Sequence, residues 1–116
     1  HDPCYLARYR GVYEPPREVI GSGRIDDPPR AEQRTFCCGA GGGRMFLGEE
    51  VGKRVNIERA EQLASTGAAT VAAACPFCNS MFRDALTQIS PNPPKLLDIA
   101  QIVASRIPDT TRLPQQ

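Results

Sequence analysis

The chain has 116 residues, 41% of them hydrophobic, which is material for one domain with a single modest core. Its 14 basic and 13 acidic side chains leave a formal net charge of +1, so no net field draws it toward nucleic acid or anionic lipid, and no nucleic-acid partner is expected. No apolar run approaches the roughly 20 residues of a membrane span, and the five cysteines are an odd number that a closed disulfide framework cannot pair, which favours metal binding or redox work in a reducing, cytoplasmic setting.

The opening His1-Asp2-Pro3-Cys4 has no signal-peptide character and reads as the edge of a piece of a longer protein. Asp2 followed by Pro3 predicts a helix start, with Asp2 as N-cap, Pro3 at the first helical position and Cys4 in the first turn, running from Tyr5 to Arg10 and ending at Gly11. Pro15 and Pro16 open a second helix that Gly21 and Gly23 close. Ser22 to Arg34 is rich in Gly, Pro, Asp and Arg without periodicity, which predicts a flexible surface loop.

Arg34-Thr35-Phe36 reads as a short strand running into Cys37-Cys38, after which Gly39-Ala40-Gly41-Gly42-Gly43 predicts an irregular turn. A helix follows from about Leu47 to Thr66, with Leu47, Val51 and Val55 on one face, Ile57, Ala60 and Ala64 on another, and Gly67 as its stop. Thr70 to Ala74 reads as a buried parallel strand, Pro76 to Ile89 as a helix, and Lys95-Leu96-Leu97 as a last strand. Asp98 and Gln101 have capping-box spacing for a helix ending near Ile107, and residues 108–116 form a polar tail after a domain over residues 1–107. This alternation predicts an α/β fold, a small mainly parallel sheet flanked by helices.

The chemistry concentrates in the pattern C-x32-CC-x36-C-x2-C, formed by Cys4, Cys37, Cys38, Cys75 and Cys78. Each piece is weak alone, but all three fall at one structural address: Cys75 precedes Pro76 and so caps a helix, Cys78 sits in its first turn, Cys4 follows another helix start, and Cys37-Cys38 end the predicted strand. In a parallel sheet the strand C-termini and helix N-termini gather on one edge, where ligands bind. Helix N-termini carry partial positive charge that favours thiolates or an anionic cluster, and the glycines let backbone N–H groups approach sulfur.

Rival readings use fewer of these residues. A structural zinc site takes four thiolates and leaves one cysteine over, and a thiol–disulfide exchanger needs Cys75 and Cys78 alone. Gly39 to Arg44 lacks the Gly-Lys-Ser/Thr ending of a phosphate loop. His1 is a candidate ligand read instead as a structural residue, and Arg44, Lys53 and Arg54 are candidate counter-charges, with a solvated face the simpler reading for Lys53 and Arg54. Tyr5, Tyr9, Phe77, Met81 and Phe82 read as core or as shielding for a cluster.

The segments His-Asp-Pro-Cys-Tyr-Leu, Gly-Val-Tyr-Glu-Pro-Pro-Arg-Glu-Val, Cys-Cys-Gly-Ala-Gly-Gly-Gly-Arg-Met and Ala-Cys-Pro-Phe-Cys together resemble the CCG cysteine-rich domain of heterodisulfide reductase-like iron-sulfur oxidoreductases. The resemblance implies that Cys4, Cys37, Cys38, Cys75 and Cys78 hold an iron-sulfur cluster, non-cubane 4Fe-4S or linear 3Fe-4S, with zinc in some members. It further implies other domains of a longer chain, a second CCG domain and a ferredoxin-like domain, in a full-length protein associated with the membrane. The wording from Gly11 to Val19 is most similar to bacterial oxidoreductases that pass electrons from an electron-transfer flavoprotein toward quinone.

Overall fold

The computed structural model describes residues 1–21, 25–47 and 52–108. Two strands, β1 (Thr70–Ala73) and β2 (Lys95–Asp98), pair in parallel with Val71 opposite Leu96 and Ala73 opposite Asp98. Helices α1 (Cys4–Arg10), α2 (Glu14–Ile20), α3 (Val55–Ala64), α4 (Pro76–Ile89) and α5 (Ile99–Ser105) surround this small sheet. The α/β expectation holds, with α4 as the crossover between the two parallel strands.

The core forms because α4 carries one continuous apolar stripe. Cys78, Met81, Phe82, Ala85 and Leu86 recur at helical spacing and are all buried. They meet Ala60 and Leu63 of α3, Val71 and Ala73 of β1, and Cys38 from the preceding irregular segment. Two of the site cysteines are therefore part of the packed interior, and their positions are set by the same contacts that hold the fold.

Local signals in the second half of the chain hold closely. Pro76 stands at the first position of α4 with Cys75 as its N-cap, and α4 ends at Ile89. Asp98 caps α5: its carboxylate accepts from the Ala100 N–H at 2.8 Å, and the Gln101 side chain accepts from the Asp98 N–H at 2.8 Å. That helix stops at Ser105, short of Ile107.

The first half departs from expectation in four places. Pro3, not Asp2, is the N-cap of α1, because the Asp2 carboxylate is taken by Arg17, which donates to both its oxygens at 2.7 and 3.0 Å. The Glu32 backbone N–H adds a third donor at 2.8 Å. Ser22 to Arg34 is not uniformly loose: Arg17 also reaches Asp27, Arg59 reaches the Pro29 carbonyl, and Glu32–Arg34 forms a 3-10 turn, while residues 22–24 lie outside the described residues. Arg34-Thr35-Phe36 is not a strand. Thr35 is instead bonded sideways, its hydroxyl donating to the Asp2 carbonyl at 2.6 Å and its own carbonyl accepting from Arg8.

The helix expected from Leu47 begins at Val55 and ends at Ala64. Before it, Gly41–Phe46 makes 3-10 turns broken by Gly42 and Gly43, whose φ values of 66° and 77° lie in the left-handed region. Residues 48–51, including the Val51 assigned to a helix face, lie outside the described residues, as do residues 109–116 of the tail.

Candidate metal centre

Three separated stretches bring cysteines to one cavity of about 410 Å³. Cys4 comes from the first turn of α1, Cys38 from the segment before the glycine turns, and Cys75 and Cys78 from the cap and first turn of α4. Gly41, Gly42 and Gly43 form part of the wall, with Tyr5, Phe46 and Phe77 bordering it. The lining is mainly apolar, so charge placed there is poorly solvated and interacts strongly with nearby dipoles.

Each cysteine is held by identifiable contacts. Cys75 is the N-cap of α4 because Pro76 cannot donate a backbone hydrogen bond and favours the first helical position. The Asn79 N–H donates to the Cys75 carbonyl at 3.0 Å, as does the Asn79 side chain at 3.1 Å, which fixes the backbone at the cap. Cys4 stays beside the Cys37-Cys38 segment because Thr35 is bonded to Asp2 and Arg8 on either side of it. Gly39 anchors the other end. Its φ is 95°, and a Cβ there would stand 3.1 Å from the Asn56 nitrogen of α3 and 3.3 Å from the Met81 methyl of α4.

Cys37 does not line the cavity but adjoins it. Its sulfur accepts from the Gly39 N–H at 3.2 Å, and its thiol contacts that of Cys38, which in turn contacts Cys78. The Cys38 contact and then burial push the Cys37 thiol well above its ordinary range, against the lowering effect of the Gly39 and Gly41 N–H groups. Cys38 is pushed up to about 11; its bond with Cys37 works to lower it, but contact with Cys78 together with burial outweighs that. All five cysteines are free.

The donor set and the room suit a multi-atom anionic group better than one ion. Thiolates are the ligands that soft iron-sulfur clusters take. Among the described residues no group of three or more His, Cys, Asp or Glu side chains is close enough to hold a single metal ion. A single tetrahedral ion would require sulfurs about 2.3 Å from one point, whereas here the cysteines stand around the walls of a cavity.

The softer candidates separate. His1 is structural here, its ring edge-on to Phe82 with centroids 4.7 Å apart and its Nδ1 accepting from Arg59 at 3.0 Å. Lys53 pairs with Glu58 at 2.9 Å and with Glu61, and Arg54 faces Asp84 at 3.7 Å, so both belong to a surface ion-pair face. Met81 and Phe82 are core residues. Tyr5 and Phe77 are not: they are 74% and 56% exposed and border the cavity, while Tyr9, 68% exposed, rests on Tyr5. The residue that sequence reasoning passed over is Arg59, fully buried on the same face of α3 as Asn56, Ala60 and Leu63. Its spacing from Asn56 and Leu63 carried that signal.

Among the described residues no helix is long and apolar enough to cross a membrane. No solved structure matches the chain. Among curated proteins it is 35% identical over 111 residues to the probable iron-sulfur-binding oxidoreductase FadF of Bacillus subtilis, covering 92% of this chain and 16% of that protein. It is 36% identical over 113 residues to the EtfAB:quinone oxidoreductase of Syntrophomonas wolfei, covering 89% and 16% respectively. It is also 36% identical over 87 residues to a component of the dihydromethanophenazine:CoB–CoM heterodisulfide reductase of Methanosarcina acetivorans, covering 72% and 21%. The chain thus spans about a sixth to a fifth of these relatives. The cysteine-rich domain model named CCG matches residues 1–83, which contain all five cysteines, and the chain belongs to that family.

Proposed function

We propose that the chain is an electron-transfer domain of an iron-sulfur oxidoreductase, with Cys4, Cys37, Cys38, Cys75 and Cys78 as the ligands of one cluster. The observation that carries this reading is the meeting of Cys4, Cys38, Cys75 and Cys78 at one mainly apolar, glycine-walled cavity, with Cys37 in contact with Cys38. The three relatives, an iron-sulfur-binding oxidoreductase, a quinone oxidoreductase and a heterodisulfide reductase component, support the same chemistry. A non-cubane 4Fe-4S or linear 3Fe-4S cluster is the proposed group, and it supplies a store for single electrons when bound.

The chain's own residues act on that store by placement. The α4 N-terminus directs its partial positive charge at Cys75 and Cys78. The Gly39 N–H bond to the Cys37 sulfur withdraws electron density and favours the reduced state. Tyr5, Phe46 and Phe77 limit water at the cavity mouth. Electrons are proposed to come from an electron-transfer flavoprotein and to leave toward quinone through other domains of the full-length protein, a second CCG domain and a ferredoxin-like domain. Quinones dissolve in the bilayer, so that destination places the full-length protein at the membrane.

Protein prepared without oxygen should contain iron and acid-labile sulfide and absorb in the visible range. Cys75→Ser should lose most of the iron while keeping the helical circular-dichroism signal, because Ser also serves as an N-cap. A wild-type protein that binds zinc stoichiometrically and takes up neither iron nor sulfide would overturn the reading, as would full iron content in Cys75→Ser.

A further inference from the structure

β1 has one paired edge and one open edge. In a parallel pair, successive residues of a strand turn their N–H and C=O groups to opposite sides. The Lys95 N–H donates to the Ala69 carbonyl at 2.9 Å, so residues 69, 71 and 73 address β2, while Thr70 and Ala72 address the other edge. That edge receives the His1 nitrogen, which donates to the Ala72 carbonyl at 2.8 Å. Among the described residues, the Thr70 N–H and C=O and the Ala72 N–H find no backbone partner there. A groove of about 200 Å³ lies beside it, lined by Ile20 of α2, Ile25, Leu63 of α3, and Ile99 and Ile102 of α5. An open strand edge beside an apolar groove invites another strand.

Two observations say which strand. The first is direction: β1 runs on through Ala74 to Cys75, the chain from His1 runs on through Pro3 to Cys4, and Pro3, Cys4, Ala74 and Cys75 all line the cysteine cavity. Both stretches head the same way along the edge. The second is register. The His1 ring rests on Phe82, which belongs to the core cluster of Val71 and Ala73, so the His1 side chain shares their face of the sheet. In a parallel ladder the bond to the Ala72 carbonyl sets His1 beside Ala73, on that face; an antiparallel ladder would set it beside Ala72, on the opposite face. Burial pulls the His1 amine down to about 6, so the position suits a neutral peptide N–H better than a charged amine.

We propose that the polypeptide continuing upstream of His1 forms a third, parallel strand on the open edge of β1, which places β1 at the centre of the sheet. In the register that His1 sets, the second residue before His1 donates to the Thr70 carbonyl and accepts from the Ala72 N–H. The segment is apolar on both faces, because one side continues the core around Val71 and the other meets the isoleucines of α2 and α5. The chain spans 16% of the FadF relative, so proteins of this kind hold ample polypeptide to supply it. This strand delivers Cys4 to the cavity as β1 delivers Cys75, whatever group the cavity takes.

Amide hydrogen exchange of the full-length protein, read at single residues, tests the pairing. The Thr70 and Ala72 amides should exchange at least about a hundredfold more slowly there than in the 116-residue chain, while Val71 and Ala73, which address β2, exchange alike in both. Proline at the second residue before His1 should free the Ala72 amide. Proline directly before His1, where the N–H points away from β1, should leave it protected. An Ala72 amide that exchanges as fast in the full-length protein as in the 116-residue chain overturns the proposal. So does protection that varies with protein concentration, the mark of a second copy on this edge, or protection that survives both prolines, the mark of a different segment. Should the first proline variant fail to fold, seen as lost protection at Val71, the wild-type comparison and its concentration dependence decide alone.

Discussion

Asp2 shows how much one side chain can organise at a distance. It stands two residues before a proposed ligand and is only 7% exposed, with Arg17 on both oxygens and the Glu32 N–H as a third donor. Removing one partner of a buried pair leaves the other charge uncompensated, so Asp2→Ala should destabilise the fold by about 3 kcal/mol in urea unfolding. Asp27, which pairs with the same Arg17 from a side chain 44% exposed, is the control, and Asp27→Ala should cost less than about 1 kcal/mol. Equal losses in the two variants would show that Arg17, not Asp2, is the organising residue. The Asp-Pro step reads locally as a cap, and nothing near it in sequence announces Arg17 or Glu32. Cys75 was legible for the opposite reason: a residue just before a proline at a helix start is placed by its immediate neighbour.

Elements whose signals are local were legible almost to the residue. The strand at Thr70, the helix from Pro76 to Ile89 and the capped helix after Asp98 all carry their own start and stop chemistry. Asp98 serves two elements, since Asn79 of α4 also donates to its carboxylate at 3.2 Å. Asp98→Ala should therefore cost more than a simple cap, about 2 kcal/mol by denaturant unfolding, with Asp98→Asn recovering most of it because Asn also caps well. Elements fixed by nonlocal bonds were misread. Thr35 has a strand former's side chain, but its hydroxyl and carbonyl are committed to Asp2 and Arg8, so no ladder partner is left to it. The helix expected from Leu47 starts only at Val55, with Arg54 extended at φ −64° and ψ 141° as its N-cap.

At the scale of the whole molecule, strand–helix alternation was enough to foresee parallel pairing and a shared edge, and with it the neighbourhood of the cysteines. It could not foresee that residue 1 would pack on residue 82, or that Arg59 would be enclosed without a carboxylate, since both depend on how separated segments close around the core. A group bound only by the folded state stabilises it by mass action, and here it would also join α1, the Cys37-Cys38 segment and α4. Stripping the proposed cluster with chelator should lower the thermal midpoint by at least about 5 °C, measured by circular dichroism under nitrogen. An unchanged midpoint would mean that these three segments are already locked by the protein contacts alone.

The adjacency of Cys37 and Cys38 also governs how the protein meets oxygen. Consecutive Cα atoms are about 3.8 Å apart, below the roughly 4.4 Å at which disulfides begin to be accommodated, so these neighbours cannot bond to each other without distorting the peptide between them. Cys38 is 5% exposed and sheltered by the core, whereas Cys37 is half-buried and meets solvent first. Oxidation follows thiolate character as well as exposure, and the contact with Cys38 and burial hold Cys37 as a thiol, so its partial exposure does not make it a fast target. Adjacency thus denies the pair an easy internal bridge, and both sulfurs remain free thiols.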